Sequence, residues 1–119
     1  LRAVTAFQVV EHLQFDLVKE FIYQAYNALK PGGVLILETP NPENIVVSSH
    51  DFWLDPTHVK PIPSKTLAFW VRQLGFRNVE VVKSSPYNLL DTGGVEHSGL
   101  KNIMYRFNLE RDYAVVAIK

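Results

Sequence analysis

The sequence contains no cysteine, which excludes disulfide bonds and any chemistry that depends on a thiolate. Its 12 basic and 12 acidic residues balance and form no blocks of one sign, so a nucleic acid held through its phosphates is not an expected partner. No apolar run approaches the roughly 20 residues of a membrane-spanning helix, and nothing resembles a signal peptide. These absences favour a cytoplasmic protein.

Two common types of site are also missing from the sequence. Gly32 and Gly33 follow a predicted helix instead of preceding one, and no Gly-x-Gly-x-x-Gly occurs, so the chain has no glycine-rich cradle for a phosphate. The chain also has no nucleophilic serine in a Gly-x-Ser-x-Gly turn.

The first part of the chain predicts a βαβ unit within a single domain of 119 residues. Ala3–Val10 and Val34–Glu38 are apolar runs rich in β-formers, which is typical of strands that are buried on both faces. Between them, apolar positions recur at helical spacing over Leu17–Leu29, and Asp16 is the expected N-cap. A strand, a helix and a strand in this order predict two parallel strands joined by a right-handed crossover.

The second part of the chain predicts one more helix and two more strands. The helix lies between Ser64 and Gly75, and the strands are Asn78–Lys83 and a closing strand near Tyr113–Ile118. Ser84–Ser98 is rich in turn formers and is expected to be irregular, and one short helix is expected within Gly99–Phe107.

A long segment, Glu38–Pro63, separates the two parts and holds five of the seven prolines. Three of its asparagine and aspartate residues, Asn41, Asn44 and Asp55, stand beside a proline or within two residues of one. Such a segment is either a lid over a site or only a long connection. The sequence pattern alone leaves both interpretations open.

Candidate chemical groups fall at the predicted carboxyl ends of the first two strands, where ligands bind in parallel sheets. The first strand is expected to end at Glu11 and His12, and the second at Thr39–Asn41, so both ends should face one crevice. His12 is a candidate general base near neutral pH. Glu11 and His12 could equally cap the following helix.

Asp55 and His58 lie at a spacing that allows an Asp–His pair or two metal ligands. A metal would need a third ligand, for which His12 and His50 are the candidates. A turn in which Asp55 bonds its own backbone accounts for the same spacing. No metal site is therefore assigned from the sequence.

The string "FQVVEHL", followed by a helix and "LKPGGVLILETPNPEN", resembles the second half of a class I S-adenosylmethionine-dependent methyltransferase. The continuation "FWLDPTHVKPIP" further resembles a subgroup found with bacterial O-antigen (surface-polysaccharide) glycosyltransferases. The resemblance covers Val4–Val82. It implies that residues 1–119 are the C-terminal, substrate-side half of a methyltransferase domain, and that the glycine-rich loop and ribose-binding acid of the donor half are absent.

The fold class implied is α/β, with part of a Rossmann-like methyltransferase sheet. Two parallel strands joined by a crossover helix would be followed by two C-terminal strands. The last strand would insert antiparallel beside Val34–Glu38, which places Asn78–Lys83 at the far edge.

The resemblance also implies roles for individual residues. Glu11 and His12 would lie beside the transferred methyl group, as catalytic and cofactor-binding residues. The mechanism implied is an in-line attack by an acceptor hydroxyl, with His12 as the preferred base and the Asp55–His58 pair as the second choice. The expected acceptor-binding residues are Thr39, Asn41, Asn44, Asp55 and His58.

The cofactor implied is S-adenosylmethionine, bound by the full-length parent and weakly or not at all by this chain. The acceptor would be a small molecule or glycan, such as a sugar of surface-polysaccharide biosynthesis, and the parent could carry a glycosyltransferase domain. A homodimer is expected, because Ala3–Val10 would be an open strand edge. Two alternatives are a non-catalytic assembly or sugar-recognition module, and a metal-dependent hydrolase that uses Asp55, His58 and His12.

Overall fold

A computed structural model describes residues 1–119, which form one sheet with helices packed against it. The elements in chain order are β1 (Ala3–Phe7), a 3-10 turn (Val10–His12), α1 (Phe15–Ala28), β2 (Val34–Pro40), α2 (Ile45–Ser49), a second 3-10 turn (Asp51–Leu54), α3 (Ser64–Gln73), β3 (Arg77–Ser84), α4 (Ser98–Asn108) and β4 (Asp112–Ile118).

The sheet has the strand order β1-β2-β4-β3, as the resemblance implied. β1 and β2 are parallel, with Phe7 opposite Glu38, and β4 runs antiparallel to both of its neighbours. The predicted fold class is confirmed. Because β4 starts where β2 ends, Asp112 and Tyr113 lie opposite Pro40 and Thr39, at the end of the sheet where the candidate residues are.

The core lies between the sheet and the helices α1 and α3. Alternate residues of β2 point into it, with Leu35 and Leu37 fully buried. Ile22 of α1 and Leu67 of α3 are fully buried in the same cluster. The turn before β2 needs glycine, since Gly32 has a φ of +80° and a Cβ on Gly33 would approach Leu29 Cδ2 to 2.9 Å.

The first strand is shorter and more exposed than predicted. It ends at Phe7, because Gln8 takes a left-handed φ of 56° and Val10–His12 then form a helical turn. The expected burial on both faces is wrong: only Ala6 is buried, and Phe7 is 56% exposed. The cause is the position of β1 at the edge of the sheet, where it pairs with β2 alone.

Two local predictions also need correction. Asp16 is not the N-cap of α1; the helix begins at Phe15 after Gln14, and Asp16 lies in its first turn, where a negative charge favours the helix dipole. The segment Glu38–Pro63 is not a loop throughout. It contains α2, which Asn44 caps by accepting hydrogen bonds from two backbone amides.

No helix combines the length and the apolar character that crossing a bilayer requires.

Candidate functional site

The centre of the site is a buried carboxylate at the carboxyl ends of β1 and β2. Glu11, in the turn after β1, is fully buried, and its Oε2 accepts a 3.0 Å hydrogen bond from Thr39 Oγ1 at the end of β2. Its Oε1 has no hydrogen-bond partner. The two strand ends therefore meet as expected, and the Thr39 hydroxyl is used to hold Glu11 in place.

His12 is oriented by a short chain of hydrogen bonds. Thr57 Oγ1 donates to Asp55 Oδ1 at 2.6 Å, so its oxygen must accept from Nδ1 of His12 at 2.8 Å. The hydrogen-bond pattern thus assigns the proton of neutral His12 to Nδ1. Its other nitrogen, Nε2, is left with a free lone pair and lies 3.9 Å from Glu11 Oε1.

Asp55 forms the turn that the sequence offered as one explanation of its spacing. Its Oδ1 accepts a 2.8 Å hydrogen bond from the Thr57 amide as well as the bond from the Thr57 hydroxyl. These two hydrogen bonds, the hydroxyl first, lower the pKa of Asp55, and the nearby His58 and His12 add to the effect. Asp55 is therefore a carboxylate at neutral pH and anchors the relay Asp55–Thr57–His12.

His58 closes the cluster from the other side. Its Nδ1 donates to the Phe52 carbonyl at 2.6 Å, and its Nε2 lies 3.6 Å from Asp55 Oδ2. Its ring packs against Phe52 and edge-on against His12, with a centroid distance of 4.6 Å to His12. The structure thus brings Glu11, His12, Asp55 and His58 together.

Asn41 does not match its expected role as an acceptor-binding residue. It is fully buried; its Oδ1 accepts from the Glu43 amide, and its Nδ2 donates to the Glu110 carbonyl. Asn44 is likewise buried, capping α2 and donating to the carbonyls of Phe107 and Leu109. Both side chains are used to join segments of the protein, so neither presents a polar group to a ligand.

We expect Asn44→Ala to lower the free energy of unfolding by about 2–4 kcal/mol. The substitution removes a helix N-cap, worth about 1 kcal/mol, and leaves buried carbonyls without a donor, at about 1–3 kcal/mol. Urea denaturation measures the change. Asn27→Ala, on the exposed surface of α1, is the matched control and should change stability little. If Asn44→Ala left the stability unchanged and raised the Michaelis constant for an acceptor, Asn44 would instead be an acceptor-binding residue.

A cavity of about 440 Å³ opens beside the cluster and shares His58 with it. Most of the residues that line this cavity could not be identified from the sequence. Gln8 donates to Asp112 Oδ1 at 3.1 Å and to Glu38 Oε1 at 3.3 Å, which links the ends of β1, β2 and β4. The lining residues are Gln8, Pro40, Val47, Asp51, Phe52, His58, Arg111 and Asp112. The predicted strand order could have identified Arg111 and Asp112, because β4 begins where β2 ends.

Tyr113 lies under the site and is not a candidate acid or base. Burial, together with the negative charge of Glu11, raises the pKa of Tyr113 far above its usual value. Its hydroxyl donates to the Ile62 carbonyl at 2.6 Å. The residue therefore stays protonated and fixes the segment that leads into α3.

Comparisons with known proteins show the family to which this sequence belongs. Residues 2–81 match a family model described as a methyltransferase domain. Over 67 residues, 53% of this chain and 21% of the relative, the sequence is 42% identical to a protein of Pseudoalteromonas atlantica named tRNA U34 carboxymethyltransferase. Over 95 residues, 79% of this chain and 31% of the relative, it is 32% identical to a probable S-adenosylmethionine-dependent methyltransferase of Mycolicibacterium smegmatis.

Among solved structures, an S-adenosylmethionine-dependent methyltransferase of Archaeoglobus fulgidus superposes on all of this chain, with a TM-score of 0.81 and 28% identity. This chain spans 59% of that protein. It spans a smaller share, 21% and 31%, of the two curated relatives.

Proposed function

This chain belongs to the methyltransferase domain family, and we propose that it forms the acceptor side of an enzyme that transfers a methyl group from S-adenosylmethionine to a hydroxyl oxygen. The observation that carries the proposal is the relay Asp55–Thr57–His12, which holds an unprotonated imidazole nitrogen next to the buried Glu11. A base in this position is what an attacking hydroxyl needs.

We further propose that the donor-binding residues lie in a part of the protein outside residues 1–119. Support comes from the chain's coverage of 59% of the Archaeoglobus fulgidus structure, and from the absence of a glycine-rich strand–loop–helix in the sequence. The residues present fit the cofactor's cationic sulfonium, because the negative charge of Glu11 stands at the strand ends, with His12 beside it. When bound, S-adenosylmethionine supplies an electrophilic methyl carbon.

The chain's own residues would then work mainly by positioning and by proton transfer. Nε2 of His12 would accept the proton that the acceptor hydroxyl loses when its oxygen is methylated. Asp55 stabilises the resulting imidazolium through Thr57. His58, held by the Phe52 carbonyl and paired with Asp55, is the second choice for the base.

The acceptor proposed is a small molecule or a glycan with free hydroxyl groups. The cavity beside His58 is lined mostly by polar residues, among them Gln8, Asp51 and Asp112, whose side chains can hydrogen-bond hydroxyls. The subgroup resemblance points to a sugar of surface-polysaccharide biosynthesis, with a glycosyltransferase domain as a partner in the parent. Two of the relatives are named for tRNA, but the basic residues of this chain equal the acidic ones in number and form no run of one sign, so RNA is not the acceptor proposed.

Thr57→Val in the full-length protein tests the relay. Valine has nearly the shape of threonine but cannot link His12 to Asp55, so kcat should fall roughly five- to tenfold, the worth of about one hydrogen bond. The Michaelis constant for S-adenosylmethionine should stay within about twofold, since Thr57 acts through His12 and touches no donor in this proposal.

Thr57→Ser is the matched rescue, because it keeps the hydroxyl and loses only a methyl group. Activity near the wild-type value in Thr57→Ser, with a loss in Thr57→Val, supports the relay. Equal losses in both variants would show that packing, and not the hydrogen bond, matters here. If the wild-type protein transferred no methyl group to any hydroxyl acceptor, the proposed function would fail regardless of the variants.

A further inference from the structure

We propose that Glu11, His12 and His58 form a binding site for one divalent transition-metal ion. One carboxylate oxygen and one nitrogen from each imidazole lie within 4.8 Å of one another. Two ligands held about 2.1 Å from a tetrahedral metal are about 3.4 Å apart, so the three groups need to move inward only slightly to bind an ion. The sequence had offered Asp55 as a ligand beside His58 and His12; the structure puts Glu11 in that place.

In both His12 and His58 the hydrogen bond is made by Nδ1, so Nε2 is the nitrogen that could bind a metal ion. Nδ1 of His12 donates to Thr57 and Nδ1 of His58 donates to the Phe52 carbonyl, so each ring keeps its lone pair on Nε2. Histidines that ligate metals usually donate their other N–H to a carbonyl, a carboxylate or a similar acceptor, which fixes the ring and its tautomer. In this structure the hydrogen bonds that would fix both rings around an ion are already formed.

The second, independent observation is Glu11 Oε1. This oxygen belongs to a fully buried side chain and has no hydrogen-bond partner, an arrangement that is costly and rare in folded proteins. It lies 3.9 Å from Nε2 of His12, which also has only a lone pair to offer. Glu11 Oε1 and His12 Nε2 are thus two acceptors that face each other with no donor between them. A bound cation would stabilise this arrangement.

A sulfonium cofactor would satisfy the charge of Glu11 but would not use the imidazole lone pairs. A single proton between Glu11 and His12 is the alternative explanation, since Nε2 of His58 lies 3.6 Å from Asp55 Oδ2, and the titration described below distinguishes the two. A metal ion accounts for all three groups at once. Two imidazole nitrogens and one carboxylate oxygen suit Zn²⁺, Co²⁺, Mn²⁺ or Fe²⁺ better than Mg²⁺ or Ca²⁺, which prefer oxygen ligands.

Metal binding does not rest on the proposed function, and an ion in this site would take Nε2 of His12 and Oε1 of Glu11, which the proposed methyl transfer also uses. The remaining coordination positions would be available to a hydroxyl of the acceptor, since His58 also lines the cavity. An ion here would occupy Nε2 of His12. The ion-bound form would therefore lack the base proposed above, because an imidazole nitrogen that binds a metal cannot accept a proton.

The test uses the full-length protein, stripped with a chelator and titrated with ZnCl₂ and MnCl₂ by calorimetry in the absence of donor and acceptor. We expect one ion per chain. His58→Ala should weaken binding at least about tenfold, because it removes one of three protein ligands. His50→Ala is the matched control: His50 also sits beside an aspartate, Asp51, but is exposed and outside the cluster, so affinity should not change.

Visible absorption of the Co²⁺-loaded wild-type protein gives a readout that needs no variant. We expect ligand-field bands of a low-symmetry site with nitrogen ligands, absent from protein treated with excess chelator. Three results would overturn the site. The wild-type protein would bind no more metal than His58→Ala, His50→Ala would lose as much metal affinity as His58→Ala, or the Co²⁺ spectrum would be that of the hydrated ion alone. Since no activity is measured, failure here leaves the methyl-transfer proposal standing.

Discussion

Replacing His12 by alanine in the full-length protein is expected to lower kcat by about 10²- to 10⁴-fold, the usual contribution of a positioned base. The imidazole accepts the hydroxyl proton only as the transition state forms, so the loss should appear in kcat, with donor affinity nearly unchanged. Single-turnover kinetics with saturating S-adenosylmethionine measure the chemical step, and calorimetry measures donor binding.

The variant needs one control and one comparison. His97→Ala removes an exposed histidine that caps α4 by accepting a hydrogen bond from the Leu100 amide; it should lower stability by about 1 kcal/mol and keep wild-type turnover. Combining His12→Ala with Thr57→Val should add almost nothing to His12→Ala alone, because both act through one relay. An unchanged kcat in His12→Ala, or a loss confined to the Michaelis constant of the donor, would remove His12 as the base and leave the Asp55–His58 pair.

Residues 1–119 on their own are expected to show no S-adenosylmethionine binding by calorimetry, whereas the full-length protein binds it. The difference follows from the proposal that the glycine-rich loop and the ribose-binding acid lie elsewhere in the protein. Glu11 and His12 alone offer the cofactor one carboxylate and one imidazole, with nothing for its ribose or adenine.

The same isolated chain should form dimers. β1 is an edge strand with unpaired backbone groups; Phe7 at its end is 56% exposed, and Leu1, two residues before it begins, is 63% exposed. Such an edge favours pairing with a second strand. Phe7→Lys places a charge on the edge and should shift the chain toward monomer in light scattering. A monomer at high concentration that binds the donor with micromolar affinity would show that the donor site lies within these residues.

The strands could be predicted from the sequence because β-formers and apolar runs mark them clearly. Their order came from the family resemblance, since nothing local says that Tyr113–Ile118 inserts beside Val34–Glu38. The end of β1 could not be predicted, because the left-handed conformation of Gln8 depends on its bond to the Glu38 carbonyl across the sheet. Helix α2 was overlooked because neighbouring prolines dominated the pattern, although Asn44 before an apolar run is an N-cap signal.

The positions of the candidate residues in the fold were predicted in part. The strand-end argument brought Glu11, His12 and Thr39 together, even though the strand ends were misplaced. The asparagines were misassigned because their partners, the carbonyls of residues 107–110, are more than 60 positions away along the chain. Thr57 was missed because its importance depends on contact with His12, 45 positions earlier, which only the fold creates.

The central claim is that the methyl group is transferred at the carboxyl ends of β1 and β2, beside Glu11 and His12. A crystal structure of the full-length protein with S-adenosylhomocysteine tests it most directly. We expect the sulfur atom to face these two side chains, with a free path from Nε2 of His12 to the space where the methyl group would be and to the cavity that His58 lines. Binding of the cofactor at another edge of the sheet, or a sulfur atom separated from His12 by the strands, would contradict the assignment.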